Sequence, residues 1–402
     1  MIQGMSAALS GIRAYINGTR STANNIANLN TPGFRASRVN QASIEGGLGV
    51  RSVSTQTIAN QGALISTGSP LDVAINGSGF FTVRTPNGGT GYTRAGAFSL
   101  NGSGKLVDAG GNLVQGFKLT TDSSGAVTKS GAAGDIELGG TQSAPKETTS
   151  FRMRINLDAS AAAGSTFSTS FNVYNSQGEE ATLTYTFTKQ AGPGNAWDYQ
   201  ATGPAGTAVS GPGANGTVAF DSQGNMTAPA ADQPLTISGF PSGAADLTAA
   251  WDVVDDATGT PNGDVTGFAS ESAATSITQD GYGTGVLQGY SVGSDGTITG
   301  RFSNGRSQPL YQLQMADFSN PSGMSQLGGG AFGETAQSGQ PVYGAAGSGG
   351  FGSLQGSALE TSNVDLAEQM VSLIQNQHGF SAQLKTIQTA DETLGSLLNI
   401  KA

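Results

Sequence analysis

The chain has 402 residues, 36% of them hydrophobic and 62 of them glycine, enough apolar material for two or three folded cores but with frequent turns. It has no cysteine, which removes disulfides, thiolate catalysis and thiolate metal sites, and its net charge of −10 argues against nucleic acid as a partner, because phosphate binding needs clustered lysine and arginine. No apolar run is long enough to span a bilayer and no cationic, apolar leader opens the chain, so the expectation is no membrane insertion and, for an exported protein, no cleaved signal peptide.

In chain order, the first element is a helix within 1–30. Met5, Leu9, Ile12, Ile16, Thr19, Ala23 and Ile26 alternate spacings of four and three, the pattern of a coiled-coil seam. Beside it run Gly4, Gly11 and Gly18, seven apart. A glycine stripe lets a neighbouring helix approach closely but weakens the helix by roughly 1 kcal/mol per glycine relative to alanine, so it should form only when packed. The helix ends in "NNIANLNTPGF", whose Asn24, Asn25, Asn28, Pro32, Gly33 and Phe34 shape an exit: amide side chains can satisfy the last carbonyls and Pro32 prevents continuation. An extended connecting segment follows over 31–70.

From 71 the period falls to two. Short strands recur in 71–145 and in 283–358, read as two halves of one β domain. Between them, 146–282 reads as an inserted, acidic β domain. "FRMRINLDA" puts Phe151, Met153, Ile155 and Leu157 on one face, and "TLTYTFTK" does the same with Leu183, Tyr185 and Phe187. Trp197 and Trp251, with Phe220, Phe240 and Phe268, supply a core for the insert. From Gln190 to Gly300 there are eleven acids, among them Asp252, Asp255, Asp256, Asp264 and Asp280, and no lysine or arginine. Asn-Gly pairs starting at Asn76, Asn87, Asn101, Asn215, Asn262 and Asn304 lie between candidate strands and predict hairpin turns.

The last segment, 359–402, is a second and longer helix. Leu366, Met370, Leu373, Gln377, Phe380, Leu384, Ile387, Asp391, Leu394 and Leu398 keep the same alternation, with only Gln377 and Asp391 polar. The fold expected is therefore multi-domain: terminal α-helical coiled-coil segments enclosing nested all-β domains. Two arrangements fit the terminal seams: a pair within one chain, or packing among many copies. The second is the preferred reading; the two ends are also complementary in sign, with five arginines against Glu45 in 1–60 and five acids against two lysines in 360–402.

Nothing points to catalysis. His378 is the single histidine and sits on the second helix, beside a seam position. The two G-x-G-x-x-G matches, at Gly211 and Gly347, do not open helices after strands, the context in which they would hold a pyrophosphate. "DVVDD" at 252–256 lacks calcium-loop spacing. No cofactor or metal is expected, and no enzyme.

The helix exit "NNIANLNTPGF" closely resembles the N-terminal signature of the bacterial flagellar rod and hook proteins. "LDVAINGSGFFTV", "YTRAGAFSLNGSGKLVDAGGNLVQG", "GVLQGYSVGSDGTITGRFSNG" and the ending "LETSNVDLAEQMVSLIQNQHGFSAQLKTIQTADETLGSLLN" are similar to that family in the same order. The resemblance covers 1–118 and 284–402. Rod members are shorter and lack a large insert, so this chain looks like a hook member rather than a distal rod subunit. The resemblance implies a self-assembling subunit of a flexible hollow tube that transmits torque. Terminal helices would pack between copies as an inner tube and β domains would lie outside. Partners would be further copies, the distal rod, hook cap and hook–filament junction proteins, and the flagellar export apparatus. A reading from another class is a secreted β-rich binding module or adhesin with a coiled-coil stalk.

Overall fold

The structure, a computed structural model, describes residues 2–44, 49–122, 125–255 and 257–400, the last four and the first two of these by their backbone alone. Glu45 and Asp256 fall outside the described residues, and the side chain of Leu398 is outside them too. The chain divides into two compact units. One comprises Met1–Gly140, Gln288–Arg301 and Ser307–Ala402; the other comprises Thr141–Leu287 and Phe302–Arg306.

The first unit carries both long helices, α1 (Ile2–Ala27) and α2 (Leu366–Ile400). Asp365 caps α2, its Oδ1 accepting the amides of Ala367 at 2.8 Å and Glu368 at 3.2 Å. After α1 the chain forms a hairpin rather than the expected extended link: β1 (Ser37–Ser43) pairs antiparallel with β2 (Val50–Thr57). The hairpin lies along α1, where Ser10 Oγ accepts the Val50 amide at 3.0 Å and Ser21 Oγ donates to the Ser37 carbonyl at 2.9 Å. A polar, β-branched segment finds a helix face to pair against, and that satisfies backbone groups which an isolated extended chain would leave to water.

The β part of this unit interleaves early and late strands. Leu113–Thr121 pairs with both Ser307–Leu313 and Phe80–Arg84; Leu64–Ser66 pairs with Ala358–Glu360, and Val73–Asn76 with Ser353–Gly356. Phe80, Tyr92, Phe318 and Phe332 meet edge to face, with ring centroids 4.8 to 6.2 Å apart, and make a small aromatic core.

The second unit packs two sheets face to face. One is built on Ser150–Asn156, flanked by Leu247–Trp251, Val265–Thr266 and Ala273–Gln279; the other runs Thr166–Tyr174, Glu180–Lys189, Asn195–Thr202, Asn215–Phe220 and Met226–Ala228. Period-two alternation delivers Phe151, Met153, Ile155, Leu157, Leu183, Tyr185 and Phe187 to the shared core with Trp197 and Trp251. Phe220 and Phe240 are buried as expected, but Phe268 is 48% exposed and does not belong to that core.

Of the Asn-Gly pairs, those at Asn87, Asn101 and Asn304 sit in hairpins. Those at Asn76 and Asn262 link strands that pair elsewhere, and Asn215 opens a strand. The recurrent turn is instead Asn/Asp-x-x-Gly. At Asn101, Asp108, Asn175 and Asp221 the side-chain oxygen accepts the amides two and four residues on, while the glycine at the fourth position has a φ between 75° and 84°. The short side chain copies a backbone acceptor, and glycine supplies the left-handed residue that closes the hairpin.

Candidate assembly surface and helix joint

α1 and α2 run antiparallel and touch through small residues. A Cβ on Gly11 would lie 3.1 Å from Gln383 Cδ, one on Gly18 2.9 Å from Asn376 Oδ1, and one on Gly379 2.3 Å from Tyr15 Cζ. α2 of the same chain is thus the partner of Gly11 and Gly18, whereas Gly4 is exposed with nothing within 4 Å of a Cβ, and the face of α1 buried by α2 and the hairpin is Ala8, Gly11, Ile12, Ala14, Thr22 and Asn25. Within the chain, therefore, the two helices meet through these glycines and not along the seams of larger apolar residues. Close approach at glycine leaves larger side chains no room between the axes, so they turn outward.

The consequence is an uncovered apolar surface. On α1, Leu9, Ile16 and Ala23 are exposed, Met5 and Ile26 half-buried, and only Ile12 is buried. On α2 the seam divides: Leu366, Met370 and Leu384 are exposed, while Leu373, Phe380, Ile387 and Leu394 are half-buried. Val371 and Ile374, which belong to no seam position, are more exposed still, at 54% and 51%. A groove of about 630 Å³ runs between the helices, lined by Ile16, Thr19 and Ala23 on one side and Gln377 and Phe380 on the other. Single exposed leucines are ordinary; a contiguous stripe on two adjoining helices marks a contact surface. Arg13 and Arg20 on α1, and Glu368, Asp391 and Glu392 on α2, are exposed beside it, as is His378.

The exit motif holds the joint between α1 and the hairpin. Asn25, 2% exposed, donates from Nδ2 to the Ser37 carbonyl at 2.8 Å and to Gln369 Oε1 at 2.9 Å, and its Oδ1 accepts the Ser37 amide at 2.9 Å. One fully satisfied side chain therefore ties α1 to β1 and α2. Asn28 Nδ2 donates to the Asn24 carbonyl at 2.9 Å, and its Oδ1 accepts from Thr31 Oγ1 at 3.1 Å, the local satisfaction of helix-end carbonyls that the sequence suggests. Pro32 and Phe34 are half-buried where the chain turns away. Gly33 has φ +69°, and a Cβ there would sit 2.4 Å from the Ala95 amide nitrogen; its own amide donates to the Glu360 carbonyl at 2.8 Å.

Beneath the joint lies a cluster that the sequence did not announce. Glu360, 1% exposed, accepts from Arg35 Nη2 at 2.9 Å, Arg94 Nη1 at 3.3 Å and the Gly62 amide at 2.9 Å. Arg94 also donates from Nη2 to the Gly77 carbonyl at 2.6 Å and lies over the Phe80 ring, whereas its buried Nε has no partner among the described residues. Burial pulls the Arg94 guanidinium down to about 10, with the neighbouring Arg35 adding to the fall and Glu360 opposing it. Burial lowers Arg35 as well, against the pull of Glu360. The available signal was that "ALE" alternates, placing Glu360 on the same face as the wholly buried Ala358.

A helix from each end of the chain, paired beside a β body with its apolar side chains left outside, is the geometry of a subunit that completes itself against others, and three family models place it among the flagellar axial proteins. They are the flagellar basal body rod FlgEFG protein C-terminal family over 355–400, the flagellar hook protein FlgE/F/G D1 domain over 74–161, and the flagellar basal body protein FlaE D2 domain over 146–282. The flagellar hook protein FlgE of Treponema pallidum is 33% identical, covering all of this chain and all of that protein. Those of Rhizobium meliloti (31%; 99% of this chain, 98% of that protein) and Salmonella typhimurium (32%; 98% and 99%) are similarly related. The chain belongs to the flagellar hook protein FlgE family. Among solved structures, that of Helicobacter pylori flagellar hook protein FlgE2 matches with a TM-score of 0.49 at 14% identity, over 74% of this chain and 100% of that one.

Proposed function

We propose that this chain is the structural subunit of a bacterial flagellar hook, assembling with copies of itself into a flexible hollow tube that carries torque from rod to filament. The observation that carries this reading is the end-to-end likeness, insert included, to proteins named as hook proteins. It disfavours a distal rod subunit, and it gives no support to a secreted adhesin whose helices form a stalk. The family role is structural, so no reaction is assigned.

In this reading 1–30 and 359–402 line the tube, with the apolar residues Met5, Leu9, Ile16, Ala23 and Ile26 and Leu366, Met370, Leu373, Phe380, Leu384, Ile387, Leu394 and Leu398 as the assembly interface, Ile12 being buried within the subunit. Asn24, Asn25, Asn28, Pro32, Gly33 and Phe34 set the angle at which the helix leaves, and 31–70 joins it to the β domain formed by 71–145 and 283–358. The acidic domain over 146–282 lies outermost, because close packing of so many acids about an axis would be repulsive. Distal rod, hook cap and hook–filament junction proteins would meet the tube's ends, and the flagellar export apparatus would deliver the chain uncleaved. No described helix is long and apolar enough to cross a membrane.

The test is polymerisation of the purified chain. Wild type should yield sedimentable tubes, and Leu9→Asp combined with Met370→Asp should yield soluble, folded monomer. Tubes from that variant would remove the helix surface from the interface.

A further inference from the structure

Seven Asn-Gly pairs occur in the chain. In this dipeptide a backbone nitrogen reaches the preceding side-chain amide most readily, because glycine has no Cβ to obstruct the approach. The fold decides which of the seven can do so. Four have the asparagine side chain engaged: Asn17 Nδ2 donates to Ser52 Oγ at 3.1 Å, Asn101 Oδ1 accepts the Ser103 and Lys105 amides, Asn262 Nδ2 donates to the Asp252 carbonyl at 3.2 Å, and Asn304 Nδ2 donates to the Gly283 carbonyl at 2.9 Å. Two more are held through the backbone. Asn76 closes a strand and the Gly77 amide donates to Gln61 Oε1 at 3.0 Å, while Asn215 and Gly216 pair with Gln200 and Tyr199. Extended backbone keeps the side-chain carbon away from the next nitrogen, so a five-membered ring can close there only after the ladder opens.

Asn87 differs. It is exposed, as is every residue from Pro86 to Thr90, at the tip of the hairpin that joins Phe80–Arg84 to Thr90–Thr93, and its side chain has no hydrogen bond among the described residues. A Cβ on Gly88 would meet nothing within 4 Å. The Gly88 amide donates to the Thr85 carbonyl at 2.9 Å, a bond within the exposed turn that water can replace.

We propose that Asn87–Gly88 is a self-modification site, at which the chain acquires a carboxylate without an enzyme. Once water has taken the Gly88 amide proton, that nitrogen attacks Asn87 Cγ; the N–Cγ bond forms, the Cγ–Nδ2 bond breaks and ammonia leaves, giving a succinimide. Water then opens the ring at either carbonyl, leaving aspartate or isoaspartate. Each event adds a negative charge to the turn, and isoaspartate also lengthens its backbone by an atom. The chemistry is independent of the chain's role in a tube.

The experiment incubates the full-length chain in mildly alkaline buffer, native and in guanidinium chloride, and follows all seven pairs by mass-spectrometric peptide mapping. In the native chain Asn87 should convert at least about tenfold faster than any of the other six, since each of those must first open one or more hydrogen bonds. In denaturant the spread should collapse, because all seven then present the same dipeptide in an unfolded chain. Another pair that converts natively as fast as Asn87 overturns the assignment. A native Asn87 that stays intact while the denatured chain converts overturns it too, as does a ranking that survives in denaturant, which would place the cause in the flanking sequence and not in the fold.

Discussion

Replacing Glu360 by glutamine should destabilise the first unit without disturbing the second. The carboxylate is 1% exposed, between side chains that are 3% and 6% exposed, so solvent screens the cluster little. Glutamine keeps the shape but leaves Arg35 and Arg94 buried, like-charged and without their counter-ion. Breaking a buried pair in this way costs about 3 to 5 kcal/mol, since the partner's desolvation is no longer offset. The first unit contains no tryptophan, because Trp197 and Trp251 both lie in the second, so the two can be followed separately in one denaturation experiment. Tryptophan fluorescence reports the second unit, and helical circular dichroism reports α1 and α2. The helical transition should move to markedly lower denaturant while the fluorescence midpoint stays in place. A helical transition that moves by less than about 1 kcal/mol would refute the view that the triad holds the joint.

Gly33→Ala should cost roughly 2 kcal/mol or more in the same helical transition, because alanine resists φ +69° by about 1–2 kcal/mol and its Cβ would meet the Ala95 amide nitrogen at 2.4 Å; equal stability would show that the turn relaxes freely. Leu384→Asp places a charge on a side chain that is 42% exposed, so the monomer should lose less than about 1 kcal/mol while polymer yield collapses, as sedimentation would measure. Burial alone would raise the Asp280 carboxyl, but hydrogen bonds from Lys146, the Ser150 and Thr149 amides and the Thr149 hydroxyl outweigh it and hold it at about 2. A depressed carboxylate stabilises the fold above its unfolded value, so fluorescence-monitored stability of the second unit should fall as pH drops from about 4 towards 2, and Asp280→Asn should flatten that fall.

The strands of the second unit were readable because alternation there meets a single buried face. Tyr185 and Phe187 point inward and Thr184 and Thr186 outward, and nothing competes with that pattern. The seams were legible as apolar faces, but a 3-4 spacing identifies such a face and not its occupant. Gly11, Gly18 and Gly379 decide that α2 covers the small-residue stripe, and they leave Leu9, Ile16 and Met370 outside. The triad was hidden for another reason: Arg35, Arg94 and Glu360 are far apart in sequence, and a charge reads as surface until its partner is known. The hairpin β1–β2 was missed because its strands are polar on both faces, with Ser52, Val53 and Ser54 all exposed, so period two carried no signal.

The central claim is that the apolar residues left outside the helix pair become the contacts between copies. An electron cryomicroscopy map of polymer grown from the purified chain tests it most directly. The account predicts a hollow helical tube with α1 and α2 still paired within each subunit at its inner wall, and with Leu9, Ile16, Met370 and Leu384 buried against neighbouring subunits. A polymer in which those four side chains face solvent, or in which α1 and α2 have separated, would contradict it.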